Sequence, residues 1–508
     1  MFFHNLYQRK DGDILEAFNL EQANMVYQED PQILLADTER LLKFIVHHKE
    51  KQVPRLEVLQ NYYLGHNTDI FESTNRRKET GKADYRAAHP FASDIADLQT
   101  AFSVGKPVGM QVDSKNHSKL DLVNKVNDVD AHNYELFLDT SIFGRAYEYV
   151  YRDERNTEKF VRLNPLETFI IYSLDVDPMP VMAIRYHSVT MVDEDTAKLQ
   201  YVIEVWTQDE YVRYQPTDIK DNSTLNLDVH EPRTILPIIE YDNNRMRTGD
   251  FERVLSLIDL YDAAQSDTAN YMSDLNDALL VIQGDIANEL EQLIASIDSK
   301  EPDYAEKVMD IKREFNQQLK DSNTLFLHSG ISAMGQQTNV SAEYIYKQYD
   351  VAGTEAYKKR IADDIHKFSH TPNLTDENFA ANTSGVAMQY KLLGTVELAA
   401  TKRRMFEKGL YRRYTVVDNL ERLASTGWDI DVNNIRFTFE DNLPTDDIQT
   451  LQMLVNAGAT LPQEYLYRFL PGVSDPDEIM QLMDEQTHFN DYPMQTPTDG
   501  DEVDDEAG

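Results

Sequence analysis

The chain has 508 residues, too many for one hydrophobic core; at roughly 150 residues per domain, two to four structural units are expected. Its 49 Lys and Arg stand against 88 Asp and Glu, a formal charge of −39. That balance excludes a protein that coats nucleic acid, because affinity for phosphates comes from counterions displaced by Lys and Arg. Apolar residues are 41% of the chain, and 28 Tyr and 21 Phe supply the packing material of a globular rather than disordered protein.

There is no Cys, which rules out disulfides, thiolate metal sites and Cys nucleophiles and fits an intracellular setting. The opening MFFHNLYQRK places apolar residues ahead of basic ones and lacks a long apolar run, so it does not read as a signal peptide. The richest apolar window, Ala278 to Gly284, is far shorter than the ~18 residues a membrane helix needs, and no membrane partner is expected.

Residues 1–30 carry no clear period. From Pro31 to about Leu64 the spacing of Leu34, Leu35, Leu41, Leu42, Ile45 and Val46 predicts a helix. Phe91, Ile95, Leu98 and Phe102 predict another from Tyr85 to Ser103, broken by Gly105 and Pro107, and a third is expected from Leu120 to Ser141. The period then changes. RAYEYVY (Arg145 to Tyr151), FVR (Phe160 to Arg162), TFIIY (Thr168 to Tyr172), VMAIRY (Val181 to Tyr186), LQYVIEVW (Leu199 to Trp206), EYVRY (Glu210 to Tyr214) and ILPIIEY (Ile235 to Tyr241) are short, β-branched and aromatic. They predict an antiparallel region from about 144 to 242.

Asp250 to Gln283 holds neither Pro nor Gly and predicts one helix of about 50 Å. Helices over Ala287 to Ile297 and Tyr304 to Leu319, a strand at Thr324 to Leu327 and a loop at Gly330 to Asn339 follow. Tyr357, Ile361, Ile365 and Phe368 stripe a helix from Val351 to Phe368, which Pro372 stops. His370 to Thr383 is a polar linker. Ser384 is the expected N-cap of a long helix to about Ser425, which Gly394 and Gly409 are expected to bend. A strand at Ile435 to Phe439 and short helices near Asp446 to Ala457, Pro462 to Phe469 and Asp477 to Glu485 precede an acidic tail from about Gln495, expected to be disordered.

Catalytic signatures are missing. Gly330 to Gly335 continues Gln336-Gln337 and so lacks the lysine of a phosphate loop; GxGxxG, GxSxG and HExxH do not occur. His47 and His48 are adjacent and cannot chelate from one helix face. The tail carboxylates Asp499, Asp501, Glu502, Asp504, Asp505 and Glu506 read as a solvated acidic run. No catalytic residue, metal or cofactor is expected, and the chain is not read as an enzyme. One basic cluster interrupts the acidic background, KRRMFEKGLYRRY from Lys402 to Tyr414. Arg404, Lys408 and Arg412 recur at i, i+4, i+8 and share a face. With Lys402 and the smaller group Lys358, Lys359 and Arg360, they suit either phosphate contacts or a salt-bridge seam between helices or subunits, and the seam is favoured.

Two blocks resemble the portal proteins of tailed bacteriophages, in the branch typical of Gram-positive hosts. Ile239 to Gly284 (IEYDNNRMRTGDFERVLSLIDLYDAAQSDTANYMSDLNDALLVIQG) is similar to the family's Asn-Asn, Gly-Asp and long-helix segment. Tyr344 to Arg413, with YKQYDVAGTEAYKKRIADDIHKFSHTPNLTDENFAANTSGVAMQYKLLG and KRRMFEKGLYRR, is similar in order and spacing. Weaker likenesses are YYLGH, FGRAYEYVY and LNPLETFIIY, so the resemblance runs from about 45 to 485.

The resemblance implies an α+β ring subunit with long stem helices, an α/β wing, a small clip and a helical crown. It places the wing at 1–249, the first stem helix at 250–283, the clip at 284–344 and the second stem helix at 345–369. A tunnel loop follows at 370–383, then the long wing helix and strand at 384–443, the crown at 444–490 and the acidic tail at 491–508. It implies a homo-oligomeric ring, a dodecamer, at one capsid vertex of the virion, assembled in the host cytoplasm. Double-stranded DNA passes through it during packaging and ejection. Its other implied partners are the terminase large subunit, the head–tail adaptor and the major capsid and scaffolding proteins. The tunnel-loop residues Asn373, Leu374, Thr375, Asp376, Glu377, Asn378 and Phe379 are expected to meet DNA by steric fit more than charge. A packaging ATPase or nuclease, and a capsid-associated adaptor or minor head protein without a channel, are the competing readings.

Overall fold

The computed structural model describes residues 20–442 apart from 74–75, 77–81, 83, 113–117, 194–195, 275–278, 285–293, 299–302, 322–323, 329–340, 346–349 and 375–384. Two units divide the chain, 1–442 and 443–508; the second, which holds the expected crown helices and acidic tail, lies outside the described residues.

A four-residue helix, α1 (Leu20–Ala23), and a short strand, β1 (Tyr27–Gln28), open the described chain. The single helix expected from Pro31 to Leu64 is instead α2 (Pro31–Ala36), α3 (Thr38–His47), one π-helical turn (His48–Gln52) and α4 (Val53–Tyr63). Asp37 starts α3 anew by accepting a bond from the Arg40 amide at 3.0 Å. The π turn precedes Pro54, which has no N–H to offer the carbonyl four residues back, so the ladder widens there. α5 (Thr68–Glu72) follows, and α6 (Phe91–Val104) begins after Pro90 rather than at Tyr85. The expected helix from Leu120 to Ser141 is two helices, α7 (Ser118–Val126) and α8 (Val129–Phe143), broken by left-handed Asp128, φ 44°.

The β region is present. β3 (Arg145–Arg152), β4 (Glu158–Leu163) and β10 (Ile238–Asp242) make one sheet in the order β10-β3-β4. β5 (Thr168–Tyr172), β6 (Pro180–Asp193), β7 (Thr196–Thr207), β8 (Glu210–Tyr214) and β9 (Leu227–Pro232) join β1 in a six-stranded sheet. Its order, β1-β5-β6-β7-β8-β9, is antiparallel except for the β1–β5 pair. β6 and β7 run longer than their apolar segments because their hairpin pairs as far as Asp193 with Thr196. β9, polar and mostly exposed, carried no apolar signal.

Strand alternation sends successive residues to opposite layers. Phe169, Ile171, Met182, Ile184, Ile203 and Val205 pack under Leu34, Leu41, Leu42 and Ile45 of α2 and α3. Ile170, Tyr172, Ala183 and Trp206 pack against Tyr147, Leu163 and Ile238 of the three-stranded sheet. Asn127 closes the outer edge of β4, its side chain accepting from the Phe160 amide (2.9 Å) and donating to the Glu158 carbonyl (2.8 Å).

The uninterrupted helix expected from Asp250 to Gln283 is not formed. After a 3₁₀ turn (Glu252–Val254), α9 spans Leu255–Asp274, and Leu279–Gly284 is a strand, β11. Four consecutive apolar residues from Leu279 to Ile282 have no helical period, and the run suits a strand paired on both sides. β11 lies parallel to β12 (Thr324–His328) and antiparallel to β13 (Ser341–Ile345). Between β11 and β12, α10 spans Tyr304–Asp321. Most of the expected helix at Ala287 to Ile297 and the loop at Gly330 to Asn339 lie outside the described residues.

α11 (Val351–Ser369) starts at Asp350, whose Oδ1 accepts from the Gly353 amide at 2.9 Å. α12 (Gly385–Leu423) is 39 residues and runs through Gly394 and Gly409 without interruption. At Gly409 the helix lies on the Tyr241 ring, and a Cβ there would fall inside it. A short pair, β14 (Arg436–Thr438) with β2 (Gly109–Gln111), ends the unit.

Candidate channel-forming site

α9 and α11 pack side by side and share one buried seam. Near the body it is apolar: Phe251, Val254, Leu255 and Ile258 meet Ile361 and Ile365, together with Leu56, Leu59, Ala92 and Ile95. Farther along it is polar, for Lys358 is 5% exposed and donates to Gln265 Oε1 at 3.1 Å and to Glu355. Lys359 and Arg360 face outward.

Beyond Leu255 and Ile258, what α9 buries is polar: Asp259, Asp262, Ser266 and Asn270. Asp259 accepts from the Tyr62 hydroxyl, and Asp262 from Asn67. An extended segment, 84–90, then runs antiparallel to the helix. The Tyr85 amide donates to Asn270 Oδ1 (2.7 Å), the Ala87 amide to Ser266 Oγ (2.9 Å) and the His89 amide to Asp262 Oδ1 (2.9 Å). The match is geometric: two extended residues advance roughly 6.6 Å and four helical residues about 6.0 Å. Each alternate amide therefore meets one helical turn, and strand-like backbone is satisfied without a neighbouring strand.

α11 ends at His370, which is left-handed at φ 55°. Its carbonyl accepts from Gln99 Nε2 of α6 (3.1 Å) and Thr395 Oγ1 of α12 (2.7 Å), and Gln99 also donates to Thr371 Oγ1 at 3.2 Å. The root of the expected tunnel loop is thus tied to two helices. Asn373 and exposed Leu374 lie just beyond it; Thr375, Asp376, Glu377, Asn378 and Phe379 lie outside the described residues.

The basic cluster divides by helical face. Lys402 is 1% exposed, donates to Ser141 Oγ at 2.7 Å and pairs with Asp250. Burial pulls its ammonium below the ordinary lysine range, an effect the Asp250 carboxylate opposes. Lys402 and Lys358 both spend their charges on partners inside the chain, as a seam between helices would, and not on an outward contact. Arg413 is fully buried, donating to Glu148 Oε2 at 2.9 Å and Asn133 Oδ1 at 2.7 Å. His132 Nε2 (2.8 Å) and the Tyr241 hydroxyl (2.6 Å) complete the Glu148 carboxylate. Burial alone would raise Glu148; Arg413 and His132 outweigh it and hold the carboxyl at about 2. Arg404 and Lys408 are exposed, Arg412 is half-buried, and neither Arg404 nor Lys408 pairs with a carboxylate among the described residues.

Sequence reasoning missed the partners, Asp250, Glu148, Ser141 and Gln99. Glu148 left a signal as the lone acid in the aromatic strand RAYEYVY, and Asp250 as the acid of the Gly-Asp pair.

The described residues thus hold a packed helix pair, joined by an apolar seam and by Lys358, on an α/β body. The family model for phage portal protein, SPP1 Gp6-like, matches residues 42–490, and the chain belongs to that family. It is 22% identical to the portal protein of Bacillus phage SPP1 over 512 residues, covering 96% of this chain and 93% of that relative. It is 23% identical to the portal protein of Clostridium phage phiCD119 over 456 residues, 84% of this chain and 92% of that relative. The role that follows is that of the head-to-tail connector at a capsid vertex, the conduit for double-stranded DNA in packaging and ejection.

Proposed function

We propose that copies of this chain close into a dodecamer in which α9 and α11 are the stem and the residues from 370 to 383 are the tunnel loop. The observation that carries this reading is the α9–α11 pair, fixed at one end by the apolar seam at Ile258, Ile361 and Ile365 and at the other by Lys358. Residues 1–249 and 384–443 form the wing, 284–344 the clip and 444–490 the crown. The terminase large subunit and later the head–tail adaptor dock on the clip; the major capsid and scaffolding proteins meet the wing. Assembly takes place in the host cytoplasm, and the subunit has no active site of its own.

The net charge of −39 supports a wall along which a polyanion slides without adhering. In such a chain, exposed Arg404 and Lys408, with half-buried Arg412 beside them and with Lys359 and Arg360, fit the acidic surface of a neighbouring subunit better than DNA. Replacing Asn373 to Ala380 by glycine and serine tests the loop. Rings should still assemble while packaging or DNA retention falls; unchanged packaging and retention contradicts the assignment.

A further inference from the structure

Away from the channel elements, two carboxylates meet where α12 ends against the β3–β4 hairpin. Glu158, the first residue of β4, is 1% exposed, and Glu421, in the last turn of α12, is 6% exposed. Arg152 of β3 bonds Glu158 Oε1 through Nη1, and the same nitrogen lies 3.6 Å from Glu421 Oε1. The Thr426 hydroxyl donates to Glu421 Oε2. Lys119 of α7 bonds the Thr426 carbonyl and faces Glu421 from farther away, and Asn127 holds the Glu158 carbonyl. Two nearly dry carboxylates thus share one close guanidinium. Full ionisation leaves a buried negative charge without a close partner, which burial penalises strongly.

We propose that Glu158 and Glu421 share one proton at neutral pH and form a pH-operated latch that fastens the last turn of α12 to the β3–β4 hairpin. Burial first, and then the neighbouring carboxylate, push Glu158 from 4.5 up to about 7. Burial alone would also raise Glu421, but the hydrogen bonds from Glu158 and Thr426 prevail and hold it below the ordinary value. The sign follows from linkage. A carboxyl with a raised folded value stabilises fully below its unfolded value, and that contribution is lost as pH rises through the folded one. The latch is closed in mild acid and loosens above about pH 7.

Hydrogen exchange on the full chain in its native assembly, corrected for intrinsic rates, tests this. Between about pH 6 and about pH 8.5, protection over 418–426 and 157–161 should fall by up to about tenfold. In Glu158→Gln, which carries a permanent neutral donor, protection should be the same at both values. No fall in the wild type, or an equal fall in Glu158→Gln, overturns the proposal. Infrared spectra of the wild type decide independently of any variant. A carboxylic-acid carbonyl band should persist near neutral pH and vanish on alkalinisation; its absence near neutral pH overturns the proposal as well.

Discussion

Arg413 reaches from the C-terminal third of α12 to Glu148 in the centre of β3, and both side chains are wholly shielded from water. Removing one partner leaves the other charge buried and unpaired, so Arg413→Met should cost about 3–5 kcal/mol, read as a fall in unfolding midpoint. The pair also sets a pH dependence. Because Glu148 sits at about 2 when folded, below its unfolded value of 4.5, its stabilisation is present above 4.5 and is lost as pH falls towards 2. A urea titration across that window should show the slope in the wild type and a shallower slope in Arg413→Met. Gly409 is a second decisive residue, because α12 can lie on Tyr241 only without a Cβ there. Gly409→Ala should destabilise by about 1–3 kcal/mol through overpacking, and a midpoint equal to the wild type's contradicts the close approach.

At the scale of elements, α9 is held to segment 84–90 by side chains that stand in for a strand. Ser266→Ala and Asn270→Ala leave the Ala87 and Tyr85 amides without acceptors, each worth about 1–3 kcal/mol. Hydrogen exchange over 85–89 should quicken by about tenfold or more in the double variant, while the β6–β7 hairpin stays unchanged. These contacts join residues more than 170 apart and were not legible in sequence. Local period was. It announced β3, β5 and β8 to within a residue, and α11 and α12 nearly as closely. It fails where chemistry rather than period decides: at Asp37 and Asp128, where one residue breaks a helix, and at Leu279 to Ile282, where the absence of Pro and Gly suggests helix but the chain forms a strand. The basic cluster shows the same division. Its charge was plain in sequence, but only packing distinguishes buried Lys402 and Arg413 from exposed Arg404 and Lys408.

At the scale of the whole molecule, the proposed ring sets exposed Arg404 and Lys408 against the acidic surface of the adjoining subunit. Arg404→Glu with Lys408→Glu should weaken ring assembly, and the wild-type ring should loosen as salt rises beyond a few tenths molar, since exposed charges are screened over about 10 Å at 0.1 M. Sedimentation velocity reads both effects. If the double variant assembles normally but packages DNA poorly, the stripe is a phosphate contact instead.

The most direct measurement is a single-particle reconstruction of the purified full-length protein. It should show a closed annulus whose bore is bounded by the α9–α11 pairs, with Arg404 and Lys408 directed at the adjoining subunit. A solitary protomer under all assembly conditions, or a ring whose bore is lined by the six-stranded sheet with α9 and α11 on its rim, contradicts the account.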